Sequence, residues 1–344
     1  MLKRALLFSL LMLLLVACNA GGDEPLPTLQ PTAVPPTTSA TQDTPAELIH
    51  IRLPMGFIPD PQYAPYYVAV DKGYYAQEGL EVEFDYSFET DGVALVGANE
   101  LQFAIVGGEQ VLLARAQGLP VVYVLEWFQK YPIAVITRGD AGLDEPEDLV
   151  GHTVGLPGFF GATYVGFVGL LSANDLTLAD VEASEIGFNQ VEVFVNGQAD
   201  AVVGYANNEP LQLAALGEDI NVIRVSDYID LVANGIITNE ETIANRPELV
   251  EGFVRATLRG LADTLANPDE AYEISKKFVE GLDDSRKNVL EASLEMWRSE
   301  PLGVTDPVSW EQTQNVLLEM GFLDAPLDNL EAAYTNEFVL KVQP

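Results

Sequence analysis

The chain has 344 residues, and its 52 Asp and Glu against 17 Lys and Arg give a net charge of −35. This balance argues against nucleic acid as a partner, because binding it requires Lys and Arg to neutralise phosphates, and against docking on an anionic membrane. It also makes the chain a poor receptor for a small multivalent anion. The acidic residues are interpreted as the solvated surface of an exported protein.

The first element of the chain is typical of an export signal. A basic head precedes an apolar run that is too short for an ordinary membrane-spanning helix, and the run leads to the sequence LVAC. We predict a lipoprotein signal peptide over 1–17 and lipid attachment at Cys18, the only cysteine in the chain. A short anchor that is never cleaved is the alternative. Residues 18–46, rich in Pro and Thr, are predicted to be a disordered tether.

Strands and helices alternate in the next part of the chain, which favours a parallel, wound α/β sheet. We assign 47–137 to the first part of one lobe. Its predicted strands are 48–55, 80–88, 101–107 and 119–128, and its predicted helices are 63–72, 92–99 and 109–118.

The same alternation repeats further along the chain, with a strand over 132–139 and a helix over 161–173. We assign 138–234 to lobe 2. Residues 235–247 look like a strand that returns to the first lobe, and the remainder is nearly all helix with prolines between the helices. We therefore assign 235–344 to the completion of lobe 1 and to C-terminal helices.

Two α/β lobes with a cleft between them place a ligand beyond the carboxyl ends of the strands. Aromatic residues are prominent there. Tyr63 lies at the tip of the first helix, with Tyr66 and Tyr67 behind it, and Trp127 ends a strand. Trp127 offers a flat stacking surface with one N–H donor. Core packing and ligand contact both stay open for Tyr63 and Trp127, whereas Tyr67 is assigned to the core.

The glycine loop LPGFFGATYVGF, residues 156–167, precedes a helix without offering the Lys, Ser or Thr of a phosphate-binding loop. It presents the rings of Phe159, Phe160 and Tyr164 instead. These rings suit a flat aromatic ligand that stacks against a ring of the other lobe. A hydrophobic plug between the lobes is the alternative.

Polar side chains follow the strands in both lobes, and they would suit a heterocycle that mixes N–H donors, ring nitrogens and carbonyl oxygens. The candidates are Glu109, Gln110, Gln129, Asn189, Tyr205, Asn207, Asn208 and Glu209. Glu109 has an alternative role as a carboxylate stabilised at a helix N-terminus. Asn207 and Asn208 have an alternative role as turn formers.

Signs of catalysis or metal binding are weak. His50 and His152 lie far apart and lack neighbours at the spacing of a metal site, and no Gly-x-Ser-x-Gly motif occurs. We predict that the protein is not an enzyme and has neither a metal nor a cofactor.

Three stretches resemble a known family. GFIPDPQYAPYYVAVDKGYYAQEGLEVEF, GGEQVLLARAQGLPVVYV and NGQADAVVGYANNEPLQL look like the hallmarks of bacterial solute-binding proteins related to the thiamine-pyrimidine-precursor synthases. The resemblance covers about 48 to 280. It implies a type II periplasmic-binding-protein fold that serves an ABC importer, with a membrane permease and an ATPase as partners.

Departures from the family pattern bear on the activity. The family asparagine falls at Asp60 and the family histidine at Tyr63, and the synthase branch needs that histidine and a cysteine cluster. A synthase or a hydrolase is therefore disfavoured. Asp60 and Tyr63 are kept as candidate ligand-binding residues.

The FFGA loop and the YANNEP segment look more like the riboflavin-binding type of the family. The expected ligand is thus riboflavin, and a thiamine-precursor pyrimidine is the alternative, ahead of sulfonate, nitrate or bicarbonate. We expect a monomer anchored by lipid on the extracytoplasmic face of the cell membrane. A ligand-sensing domain without transport remains open.

Overall fold

The computed structural model describes residues 48–344. The predicted signal peptide, the lipidation site Cys18 and the predicted tether lie outside the described residues. None of the helices in the described range combines the length and apolar character that crossing a bilayer requires.

Within this range the chain forms ten strands and thirteen α-helices, and most of the predicted elements lie within a few residues of their observed bounds. The strands are β1 (Ile49–Gly56), β2 (Leu80–Phe88), β3 (Ala104–Gly107), β4 (Val121–Glu126), β5 (Ile133–Arg138), β6 (Thr153–Leu156), β7 (Glu182–Glu185), β8 (Ala201–Tyr205), β9 (Ile220–Arg224) and β10 (Asn234–Asn239). The helices are α1 (Ala64–Asp71), α2 (Tyr74–Gln77), α3 (Glu89–Gly97), α4 (Gly108–Ala116), α5 (Gly161–Ser172), α6 (Gln190–Val195), α7 (Glu209–Ala215), α8 (Glu240–Asn245), α9 (Pro247–Ala266), α10 (Pro268–Ser275), α11 (Lys287–Trp297), α12 (Pro307–Glu319) and α13 (Glu337–Lys341).

The first lobe combines two short sheets. β1 and β2 are parallel, while β3, β10 and β4 form an antiparallel sheet with β10 in the middle. β1 packs beside β3, so the two sheets share one core. Ile236 and Ile237 of β10 are fully buried, as expected of a central strand. A strand is observed where the sequence predicts one that returns to this lobe. The predicted parallel sheet is wrong here, because β10 comes from a later part of the chain and runs antiparallel to both of its neighbours.

The second lobe is built on one five-stranded sheet in the order β7-β6-β8-β5-β9. β5 is antiparallel to β8 and β9, and β6 is parallel to β7 and β8. The predicted lobe boundary between residues 137 and 138 falls inside β5 and is wrong at that point. The buried apolar residues of β5 would fit a central strand of either sheet, so the sequence pattern could not assign β5 to a lobe. The chain crosses between the lobes over 127–132, and the other boundaries stay predictions.

The helical tail contacts elements of both lobes. α9 packs closely along α1, where a Cβ on Gly260 would lie 2.1 Å from the backbone oxygen of Pro65. α12 packs against α4 of the first lobe and α5 of the second, and α11 packs on the 3₁₀ turn Pro61–Tyr63. The tail therefore spans the two sheets instead of completing only the first lobe.

Candidate functional site

The aromatic residues that follow β1 and β4 pack on one another. The Tyr63 ring is stacked on the Trp127 indole at 5.3 Å between centroids, and Tyr66 meets the same indole edge-on at 5.2 Å. Trp297 of α11 lies on the indole at 5.8 Å. Tyr63 and Trp127 are each 3% exposed. Core packing thus describes both rings in this conformation, and their ligand role stays a prediction.

The polar atoms of this ring cluster differ in how they are satisfied. The Tyr63 hydroxyl donates a hydrogen bond of 2.7 Å to the Met55 carbonyl oxygen. Trp127 Nε1 is buried and has no hydrogen-bond partner among residues 48–344. A buried indole N–H usually finds a partner, so this donor is available to a ligand.

Two carboxyl groups lie close together where α3 and α4 begin. Glu89 Oε2 accepts a hydrogen bond from the Gly107 backbone N–H at 3.1 Å, and Glu89 Oε1 accepts one from Asn234 Nδ2 at 3.0 Å. Glu109 is 1% exposed, its Oε1 lies 3.5 Å from Gln110 Nε2, and its Oε2 has no partner in the described chain. A Cβ at position 107 would lie 2.3 Å from Glu109 Oε2, so a larger residue there would displace the Glu109 carboxyl group.

Burial raises the pKa of both carboxyl groups. For Glu89, desolvation is the largest cause, the nearby Glu109 adds to it, and the hydrogen bonds from Gly107 and Asn234 oppose it. Desolvation is also the largest cause for Glu109. Both residues stand in the first turn of a helix, where the helix dipole favours the charged form. Burial outweighs that dipole, so the pair retains a proton at pH values where ordinary glutamates are ionised.

The second lobe contributes the turn after β8, residues 205–209, to the candidate site. The Tyr205 backbone N–H donates to Glu209 Oε2 at 2.6 Å, and Asn208 Nδ2 donates to Glu209 Oε1 at 3.1 Å. Asn207 is fully buried and donates to Ser293 Oγ at 2.8 Å, while its Oδ1 has no partner within the described range. The bond between Asn208 and Glu209 fits the turn-forming alternative for Asn208. Asn207 Oδ1 is left as a free acceptor.

Tyr205 brings the two lobes together at the carboxyl pair. Burial is the largest cause that raises the pKa of Tyr205, and the carboxyl groups of Glu89, Glu109 and Glu209 raise it further. Burial raises the pKa of Glu209 as well. A tyrosine of the second lobe therefore faces the acidic groups of the first.

Arg286 links the two strand-end loops. Its Nη2 lies 2.6 Å from Asp60 Oδ2 and 3.4 Å from Asn208 Oδ1. Asp60 is 2% exposed, and its pKa is raised by burial in spite of the adjacent guanidinium. Asp60 and Asn208 thus bind the protein itself in this conformation, and a ligand role for either stays a prediction.

The rings of the glycine loop lie apart from the Tyr63–Trp127 pair. Phe159 and Phe160 are 43% and 55% exposed. Phe159 meets Tyr164 edge-on at 5.4 Å between centroids, and Tyr164 lies 5.9 Å from Phe322 of the helical tail. The exposure of Phe159 and Phe160 argues against the plug between lobes. Their stacking on a ligand stays a prediction.

Gln129 and Asn189 make local hydrogen bonds. Gln129 Nε2 donates to the Glu126 carbonyl oxygen at 2.9 Å, and Asn189 Nδ2 donates to the Ile186 carbonyl oxygen at 3.1 Å. Asn189 is exposed at the start of α6. Neither amide is brought to the carboxyl pair by a hydrogen bond in the described part of the chain.

Comparison with known proteins identifies the family. A family model described as NMT1/THI5 like matches residues 60–271. The chain belongs to this family. The riboflavin-binding protein RibY of Chloroflexus aurantiacus is 43% identical over 342 residues, which cover 96% of this chain and 95% of RibY. The formylaminopyrimidine-binding protein of Halalkalibacterium halodurans is 29% identical over 306 residues, which cover 85% of this chain and 91% of that protein.

A solved structure supports the fold of this NMT1/THI5-like chain. The periplasmic aliphatic sulphonate binding protein SsuA from Escherichia coli matches with a TM-score of 0.69 at 14% identity, covering 84% of this chain and 98% of SsuA. The predicted periplasmic-binding-protein fold and the predicted family are both confirmed. At this identity the likeness to SsuA concerns the fold alone.

Three residues that contact the candidate site residues were not predicted from the sequence, namely Glu89, Asn234 and Arg286. Glu89 directly follows β2, and Asn234 begins β10, so strand ends were a usable signal for both. Arg286 lies in the tail, 226 residues beyond Asp60, and no local pattern indicates that pairing.

The cavities that the structure describes lie elsewhere. One of about 120 Å³ is lined by Asn99, Gln102 and α8, and one of about 530 Å³ lies between the end of α9 and residues 298–302. Neither cavity is lined by a predicted ligand-binding residue. The space around Trp127 is occupied by the rings of Tyr63, Tyr66 and Trp297. Residues 48–344 contain no cluster of His, Cys, Asp or Glu placed to hold a metal ion.

Proposed function

We propose that this protein captures riboflavin between its two lobes and delivers it to an ABC importer. The observation that carries the proposal is the 43% identity to RibY, which is named a riboflavin-binding protein, across nearly the whole of both chains. The shared fold with a periplasmic binding protein supports a role in capture and delivery. Closure of the lobes around the ligand is the working motion.

The geometry of the site suits a flavin. Once opening of the lobes separates the Tyr63–Trp127 pair, its rings can stack on a flavin, and Trp127 Nε1 can donate to a flavin carbonyl oxygen. Asn234 Oδ1 and Glu109 Oε2 are buried without a partner in the described chain and can accept from a ring N–H or a ribityl hydroxyl. Unsatisfied buried polar atoms are costly, so a ligand that satisfies three of them gains affinity.

A thiamine-precursor pyrimidine is the second candidate. It is favoured by the 29% identity to a formylaminopyrimidine-binding protein. The close packing of side-chain rings around Trp127 also favours it, because a ligand with one ring displaces fewer side chains than the three-ring flavin. Its exocyclic amine could donate to Glu109. The two candidates differ in size, so competition between them is informative.

We infer that the chain acts as a binder and not as a pyrimidine synthase. Tyr63 stands where the synthase branch has the histidine that it needs, and the Tyr63 hydroxyl is committed to the Met55 carbonyl oxygen. The purified chain, incubated with a cell lysate, should release no 4-amino-5-hydroxymethyl-2-methylpyrimidine phosphate, the product for which the related synthases are named, as measured by mass spectrometry. Product formation would contradict the inference.

We further propose that the chain is a monomer tethered by lipid at Cys18, with a permease and an ATPase as partners. The support is the order of basic head, apolar run and LVAC. Cells that express the whole chain should incorporate labelled palmitate into it, and the Cys18→Ser variant should not. Equal labelling of both would contradict the anchor. Co-purification of the permease after crosslinking tests the partners.

Fluorescence titration with riboflavin tests the main proposal. The titration uses residues 46–344, which form one compact unit. Stacking on aromatic rings should quench flavin emission, so we expect saturable quenching at micromolar riboflavin or below. Absence of quenching, together with a thermal shift caused by a thiamine-precursor pyrimidine, would favour the second candidate.

A further inference from the structure

We propose that Glu89 and Glu109 make the cleft selective for uncharged ligands and exclude their phosphate esters. The inference rests on the proposed function, because it concerns the same cleft. It extends that function by naming the chemical class that the site accepts, the free vitamin and not its phosphorylated form.

The first step concerns the helix N-termini. α3 and α4 each present a first turn at the carboxyl ends of strands, which is where this kind of fold can bind phosphate through backbone N–H groups. Here the chain supplies its own carboxyl groups. Glu89 Oε2 accepts a hydrogen bond from the Gly107 N–H, and the Glu109 carboxyl group lies against Gly107 at the start of α4. The positions that a phosphate would occupy are therefore filled.

The second step concerns compensating cations. The hydrogen-bond partners of the two carboxyl groups are the Gly107 N–H, Asn234 and Gln110, and within residues 48–344 neither carboxyl group forms a salt bridge with Lys, Arg or His. Arg286 is paired with Asp60. A phosphate that entered beside Glu109 would meet like charge without a counterion, which disfavours binding strongly in a buried site.

The third step concerns hydrogen-bonding capacity. Glu109 Oε2 and Asn234 Oδ1, beside the carboxyl pair, are buried acceptors without partners in the described range. The buried N–H donors without partners there, Trp127 Nε1 and Trp297 Nε1, and the unpaired Tyr66 hydroxyl belong to the ring cluster. The hydroxyls of Tyr63 and Tyr131 already donate to the carbonyl oxygens of Met55 and Ala162. Phosphate accepts hydrogen bonds and needs several donors, while hydroxyl and N–H groups need acceptors. The two acceptors beside the carboxyl pair therefore favour a ligand that brings hydroxyl or N–H groups to that part of the site.

The test compares riboflavin with riboflavin phosphate by fluorescence titration at pH 8.5, where the carboxyl pair is most ionised. In the unaltered protein we expect riboflavin phosphate to bind at least about 100-fold more weakly. In the double variant Glu89→Gln/Glu109→Gln, the ratio of the two dissociation constants should fall at least about 10-fold. Glu109→Gln alone should lower the ratio in the same direction, which keeps the test valid when the double variant folds poorly.

Glu100→Gln is the matched control, since it removes one negative charge at an exposed position just beyond α3 and should leave the ratio unchanged. Equal affinity of the unaltered protein for both flavins would overturn the proposal. So would a ratio that is unaffected by the glutamine substitutions, because size and not charge would then exclude the phosphate.

The outcome is separable from that of the proposed function. When neither flavin binds, the choice of riboflavin fails, and the same comparison is made between a hydroxymethyl aminopyrimidine and its phosphate ester by calorimetry. Charge selectivity that depends on Glu109 in this second pair supports the inference with a different vitamin. Equal binding of the pyrimidine and its phosphate overturns it.

Discussion

Arg286 and Asp60 form an ion pair of 2.6 Å that joins the helical tail to the loop after β1, and the Asp60 side chain is 3% exposed. The same guanidinium lies 3.4 Å from Asn208 Oδ1 in the turn after β8. A single cation therefore connects segments that follow strands of both lobes. Opening of the cleft by separation of the lobes has to break at least one of these contacts.

Arg286→Met should lower the free energy of unfolding by about 1–3 kcal/mol, because it leaves the buried Asp60 without its cation. Urea unfolding measures the change. In the double variant with Asp60→Asn the loss should be smaller than the sum of the single losses, since neither charge remains to be satisfied. Arg298→Met is the control, because its pair with Glu295 is largely exposed and contributes little. Additive losses at 60 and 286 would contradict the coupling.

Phe160 offers a way to test stacking without disturbing the core. Its ring is 55% exposed, so Phe160→Ala should change the free energy of unfolding by less than about 0.5 kcal/mol. When the ring stacks on the ligand, the affinity for riboflavin should fall by about 1–3 kcal/mol. Phe188→Ala, at another exposed ring of the second lobe, is the matched comparison. Unchanged affinity in the Phe160 variant would remove that ring from the site.

The bounds of the strands were largely predictable, and their pairing and the lobe boundary were not. Alternating apolar runs and glycine stops are local signals, and they locate β1, β2 and β5 within a few residues. The choice of partner strands is not a local property of the sequence. β5 is buried on all of its first five residues, so its pattern suits any central position, and only its partners β8 and β9 assign it to the second sheet.

The site was predictable in its residue types more than in its contacts. Glu109 could be found because it follows two glycines at a helix start, and Trp127 because it ends a strand. Their partners come from distant parts of the chain: Asn234 lies 145 residues beyond Glu89, and Ser293 lies 86 residues beyond Asn207. Tyr63 and Trp127 proved to be packed on each other, which no spacing pattern in a single sequence encodes.

Two glycines of α9 should respond in opposite ways to alanine. A Cβ on Gly260 would lie 2.1 Å from the Pro65 backbone oxygen, and backbone cannot move aside, so Gly260→Ala should lower the free energy of unfolding by about 2 kcal/mol or more. A Cβ on Gly252 would meet the Glu78 side chain at 3.2 Å, and the better helix propensity of alanine offsets that contact. Gly252→Ala should be within about 0.5 kcal/mol of neutral. Equal thermal unfolding midpoints would contradict the close packing of α9 on α1.

Glu126 should make the protein less stable as pH rises through the neutral range. The side chain is 6% exposed, and burial raises its pKa to about 8, although hydrogen bonds from Ala233 and Thr305 oppose the shift. Between the ordinary pKa of 4.5 and the folded value, the folded state holds a proton that the unfolded state has lost. The resulting stabilisation is complete below the lower value and is lost as pH rises through the upper one.

Chemical unfolding at pH 5.5 and pH 8.5 measures this effect. We expect the free energy of unfolding to fall over that interval, with on the order of 3 kcal/mol due to Glu126. Glu89 and Glu109 act in the same direction, so Glu126→Gln should show a smaller fall and not a flat profile. Glu182→Gln removes one charge at an exposed strand position and should keep the full fall. An equal fall in the Glu126 variant and the unaltered protein would mean that Glu126 is ionised in the folded state and that its burial is compensated.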